Sequence, residues 1–170
     1  MKPIHTVRFL ICVLGATLTP LTQAQDRPSS ARAAFSQALP SGLVALKPRG
    51  GGACFLDAVN FAAIGDRPVG LKAGSEVSMG GWVVAEASPG KLGTSPMVQL
   101  RGRQTYYVRA EAYARPGLGR ALGNPALDGG GLKLAGVVLT IPADDYRVAF
   151  LVQSGADLLI CDTGRQFRVE

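Results

Sequence analysis

Short apolar runs broken at close intervals by turn residues restrict this chain to one kind of fold. From Arg49 onward the runs recur at roughly 8–12-residue spacing, which suits short strands and leaves no room for long helices. They cover 53–61, 76–86, 97–100, 104–115, 132–141, 146–153, 158–162 and 166–169. Between them lie Arg49-Gly50-Gly51-Gly52, Asp66-Arg67-Pro68, Lys72-Ala73-Gly74, Ser88-Pro89-Gly90-Lys91 and Pro142-Ala143-Asp144-Asp145. Each combines residues that favour tight turns. No sustained helical periodicity separates the runs, which argues against an alternating βαβ design. The expectation is an all-β domain, a single antiparallel β-sandwich of about 8–9 strands, jelly-roll or Ig-like.

The N-terminus has a different character. Met1-Lys2 and Arg8 give a basic start, an apolar run follows from Phe9 to Leu18, and Thr22-Gln23-Ala24 forms a small-x-small cleavage signal. Residues 1–24 therefore read as a signal peptide, or as an anchor if kept. Residues 25–41, rich in Ser, Ala, Arg and Pro, read as a flexible leader in which Ala31–Leu39 could form one short helix. Residues 42–170 are the sandwich domain. No second apolar stretch approaches the ~20 residues that span a bilayer. The expected location is periplasmic or secreted, in a bacterium.

Cleavage changes the chemical inventory. It removes His5, the only histidine, and Cys12. Cys54 and Cys161 remain, and in an oxidising compartment such a pair is expected to bridge. Two cysteines without histidine do not complete the usual four-ligand zinc site, so no metal or other cofactor is expected. Ser-His-Asp and Cys-His catalysis fall with the histidine. A paired-carboxylate hydrolase needs only two acids, and Asp57, Glu86, Glu111 and Asp128 are candidates, but no spacing selects a pair. Gly50-Gly51-Gly52 precedes a strand rather than a helix, the wrong setting for a phosphate loop. The formal charge of +6 includes Lys2 and Arg8, and the remaining basic residues are scattered. A nucleic-acid partner would require them to cluster.

Strand alternation then sorts side chains by face. In Gln104–Arg115 one face carries Tyr106, Val108, Ala110, Ala112 and Ala114, which suits a core. The other carries Thr105, Tyr107, Arg109, Glu111, Tyr113 and Arg115, mixing rings with charged groups. That face is either a ligand-binding surface or a solvated one with cross-strand ion pairs. Strict alternation places Trp82 with Ser78, Gly80, Val84 and Glu86, although a bulge at Gly80-Gly81 would turn it inward. Asp57, inside an apolar run, needs a partner such as a neighbouring loop or an arginine. The candidate ligand-binding set is Tyr107, Arg109, Glu111 and Tyr113, with Trp82 and Arg115 nearby.

Five segments carry a family likeness: Phe55-Leu56-Asp57, Gly81-Trp82-Val83-Val84-Ala85-Glu86, Arg115-Pro116-Gly117-Leu118, Ala135-Gly136-Val137 and Asp144-Asp145-Tyr146-Arg147-Val148. In this order they resemble small β-sandwich modules of bacterial envelope and polysaccharide-associated proteins. The chain departs from the pattern at Gly117, where an acid is expected, and at Glu86, where Asp is commoner. The resemblance implies a sandwich fold and an envelope compartment, with no one activity attached. The expected function is non-catalytic binding of an envelope glycan or a partner protein. The alternatives are a structural or assembly protein of a periplasmic complex and, third, a carboxylate-dependent glycan hydrolase.

Overall fold

The computed structural model describes residues 33–65, 67–86 and 90–170; the expected signal segment and most of the expected leader lie outside the described residues. The strands are β1 (Lys47–Gly50), β2 (Ala53–Val59), β3 (Ala62–Ala63), β4 (Val69–Leu71), β5 (Glu76–Val84), β6 (Thr94–Arg101), β7 (Thr105–Arg109), β8 (Glu111–Tyr113), β9 (Gly131–Val138), β10 (Asp144–Ser154) and β11 (Asp157–Val169). Among the described residues helix is confined to single turns: α1 (Ser41–Val44), α2 (Leu118–Ala121) and a 3-10 turn at Pro125–Gly129. Strand makes up 57% and helix 10%, which places the domain in the all-β class. One sheet has the order β1-β11-β10-β6-β7, with β4 also on β11; the other has the order β3-β2-β5-β9-β8.

The architecture departs from expectation in two ways. Among the described residues there are eleven strands rather than eight or nine, and the first sheet is not wholly antiparallel. Both β1 and β4 run parallel to β11, β1 along Asp157–Ile160 and β4 along Phe167–Val169. The cause is the length of β11, 13 residues, which gives two short strands room end to end on one edge. Neither short strand shows an apolar period: Lys47–Gly50 is exposed throughout, and Val69–Leu71 is too short for one. The runs at 158–162 and 166–169 are one strand because the residues between them form a bulge. The β10–β11 register shifts between Val148 and Ala149, Gly164 takes φ +71°, and the Thr163 hydroxyl donates to the Val148 carbonyl at 2.7 Å.

The two sheets share one core. Leu56, Val77 and Leu132 of the second sheet are buried with Leu100, Tyr146, Phe150 and Phe167 of the first. Each large side chain removed from water contributes roughly 1.5–3 kcal/mol. Cys54 of β2 and Cys161 of β11 form the expected disulfide, joining the layers with their Cα atoms 6.1 Å apart.

Residues 33–39 are not helical. Ser36 exchanges two backbone hydrogen bonds with Tyr107, of 2.9 and 2.7 Å, on the free edge of β7. Phe35 packs on the main core, while Leu39, Leu43 and Leu46 join Met97, Ala149, Leu151 and Leu158 in a smaller cluster. Ser36 and Gln37 thus tie the described end of the leader to the first sheet, Gln37 by a 2.7 Å bond to the Gln104 side chain. Among the described residues no helix is long and apolar enough to cross a membrane.

Candidate binding face

The run 104–115 is two strands in different sheets. β7 pairs with β6 in the first sheet, β8 pairs with β9 in the second, and the chain crosses at Ala110, whose N–H donates to the Pro96 carbonyl at 3.0 Å. Alternation survives as far as the crossing: Tyr106 and Val108 are buried as expected, but Ala112 and Ala114 are exposed. The six candidates therefore divide. Tyr107 belongs to the cluster under Leu39 and Leu43, and its hydroxyl accepts a long 3.4 Å bond from Gln99 Nε2. Arg109 stays with the first sheet. Glu111, Tyr113, Arg115 and Trp82 go to the second.

On the second sheet the register aligns Phe55, Trp82, Gly131 and Tyr113 across β2, β5, β9 and β8. Val77, Met79, Gly81 and Val83 of β5 are buried, whereas Ser78, Gly80 and Trp82 are only half-buried. Trp82 therefore faces outward, as strict alternation predicts. The bulge that threatened to turn it falls instead on β2, between Leu56 and Ala58, so Asp57 is the extra residue. Gly131 is required by its neighbour: a Cβ there would lie 2.8 Å from the Tyr113 ring, so that ring rests on the glycine backbone. Trp82 and Tyr113 are carried two strands apart, about 10 Å at the backbone, and the Tyr113 ring covers the buried Gly131 that lies between them in the row. Trp82 also packs on Val84 of β5, Leu118 of α2 and Leu127 of the 3-10 turn, a satellite core.

Arg115 and Asp57 form a bidentate ion pair, Nη1 to Oδ2 and Nη2 to Oδ1, the latter 3.1 Å. β9 and β5 lie between β8 and β2, so this pair must pass over them. Its side chains are 30% and 32% exposed, which puts it on the outer face. The Arg115 pKa is raised, chiefly by the hydrogen bond to Asp57, against the opposing effect of burial and with help from Tyr113. Asp57 thus has the arginine partner its sequence position called for. Lys133 and Glu111 pair at 3.0 Å one row along, and Gly80 leaves open space where a side chain would stand. At the far end Arg165 lies 5.4 Å over the Phe55 ring.

Chemically, this is an outer sheet face that carries two aromatic rings and paired charges. Aromatic faces cover C–H surfaces, and Arg, Asp, Glu and Lys supply charge-assisted hydrogen bonds. The acids considered for hydrolysis are all engaged: Asp57 with Arg115, Glu111 with Lys133, Glu86 with Lys91 at 3.8 Å, and Asp128 Oδ1 accepting from the Gly119 N–H at 2.7 Å. Among the described residues no group of three or more His, Cys, Asp or Glu is placed to hold a metal ion. Lys133 and Gly131 were not singled out by the sequence. Gly131 follows Gly129-Gly130 and reads as turn punctuation, and only the register places it beneath the Tyr113 ring. Comparison with protein-family models, curated proteins and solved structures gave no match.

Proposed function

We propose that the protein is an exported, non-catalytic β-sandwich that binds an envelope glycan on the outer face of its second sheet, through Trp82 and Tyr113 with Arg115, Asp57, Glu111 and Lys133 around them. The observation that carries this reading is the single register row in which Trp82 and Tyr113 flank Gly131. Two rings carried on one outer face suit the C–H surfaces of successive sugar residues, and the ion pairs beside them suit hydroxyl groups. Export accords with the disulfide between Cys54 and Cys161. The absence of a carboxylate standing without a partner among the four candidates favours binding over hydrolysis.

The face divides the original candidates, and that division supplies the test. Binding to an array of envelope-type glycans should fall at least about tenfold in Tyr113→Ala, the equivalent of about 1.4 kcal/mol. Tyr107→Ala should retain binding, because Tyr107 belongs to the other sheet. Loss in Tyr107→Ala with retention in Tyr113→Ala, both folded by circular dichroism, would overturn the assignment.

A further inference from the structure

The first sheet carries a separate recess where the chain leaves β7 for β8. α1 supplies Gly42 and Leu43, β6 supplies Pro96 and Met97, β7 supplies Arg109 and β10 supplies Gln153. Its volume is about 150 Å³. Leu43 and Met97 are 5% and 3% exposed, so the apolar wall is fixed by packing rather than by mobile surface side chains. Arg109 is exposed, and its guanidinium makes no hydrogen bond or ion pair to another described residue. It contrasts with Arg49, Arg101, Arg103, Arg115 and Arg168, each of which meets an aspartate.

From this we infer that the recess is a binding site for a small amphipathic monocarboxylate, with the apolar group among Leu43, Met97 and Pro96 and the carboxylate on Arg109. An apolar cavity of about this size accommodates a benzene ring, which sets the upper bulk of the buried group. The planar guanidinium matches a carboxylate with two parallel hydrogen bonds, so the unpaired Arg109 selects the charged end. A neutral ligand of the same shape leaves the guanidinium with water alone. A free short-chain acid and the C-terminus of a peptide ending in an apolar residue share this chemistry.

Benzoate and its neutral counterpart benzamide, titrated into the isotopically labelled protein and followed by amide chemical shifts, separate the alternatives. Benzoate should give saturable shifts at Leu43, Met97 and Arg109 with Kd on the order of 1 mM, as suits so few ligand atoms. Benzamide should bind at least about tenfold more weakly, and Arg109→Gln should abolish that difference. Gly42→Phe should remove binding of both: nothing lies within 4 Å of a Cβ at Gly42, so the ring can fill the recess without disturbing the fold. Equal binding of benzoate and benzamide, benzoate binding unchanged in Gly42→Phe, or shifts that do not saturate would each overturn the proposal. Competition by a tripeptide with a free terminal phenylalanine, lost on amidation, assigns the ligand to a chain terminus. Competition by hexanoate alone assigns it to a free acid, and either result supports the shared chemistry.

Discussion

Replacing both cysteines, Cys54→Ala with Cys161→Ala, should cost the domain about 4–5 kcal/mol. The bridge joins residues 107 positions apart. In the chain-entropy treatment a closed loop of that length restricts the unfolded chain by about 16 cal/mol/K, or roughly 4.8 kcal/mol at 25 °C. The bond also ties β2 of one sheet to β11 of the other, so its loss frees the layers to separate on unfolding. With an unfolding entropy near 0.3 kcal/mol/K for a domain of about 140 residues, the melting temperature should drop by roughly 15 °C. The assay is guanidinium unfolding of the oxidised protein, the double variant and the wild type under reducing agent. The variant and the reduced wild type should lose the same amount, which separates the effect of the cross-link from that of the substituted atoms. A loss below about 1 kcal/mol in both, with the transition still cooperative, would refute the reasoning and show that the layers hold without the bridge.

Three further expectations follow from local geometry. The two-residue turn between β2 and β3 has Asn60 at φ 48° and Phe61 at φ 65°, and Phe61 is 95% exposed. Phe61→Gly should therefore stabilise the protein by about 0.5–1 kcal/mol in chemical denaturation, since glycine suits this turn and little packing is lost; destabilisation would contradict it. Gly81→Ala should cost about 1–3 kcal/mol, because the new Cβ would sit 2.5 Å from the Phe55 carbonyl oxygen and 2.8 Å from the Phe150 ring; a wild-type melting temperature would contradict it. Asp144 and Asp145 have carboxyls held below their ordinary pKa, Asp144 chiefly by the Arg103 backbone N–H and Asp145 chiefly by the Arg168 side chain. A lowered folded-state pKa gives stability that is present at neutral pH and lost as pH falls below the usual carboxylate range. Asp144→Asn with Asp145→Asn should flatten the acid limb of a stability-versus-pH curve; an unchanged limb would rule those two groups out as its source.

The class of fold was legible because turn chemistry is local. Gly50-Gly51-Gly52 and Pro142-Ala143-Asp144-Asp145 mark chain reversals by their own backbone preferences. The cysteine pair was legible by subtraction, once Cys12 is assigned to the signal segment. What escaped was set by distant partners. β1 and β4 exist because β11 is long enough to receive them. The crossing at Ala110 uses extended backbone on both sides, so the alternation of Tyr107, Arg109, Glu111 and Tyr113 continues through it while the sheet changes underneath. Half of the candidate strand face therefore went to the first sheet. For the same reason the pairing of Asp57 with an arginine was predictable in kind, but the identity of Arg115, 58 positions away, was not.

The proposed binding face contains the only tryptophan of the chain, so Trp82 reports on it without ambiguity. The most direct measurement is its fluorescence during titration with polysaccharide extracted from a bacterial envelope. If sugars dock across Trp82 and Tyr113, the emission should change saturably, and Tyr113→Ala should shift the midpoint at least about tenfold higher. Polysaccharide that binds, as judged by co-sedimentation, while Trp82 emission stays constant would contradict the account.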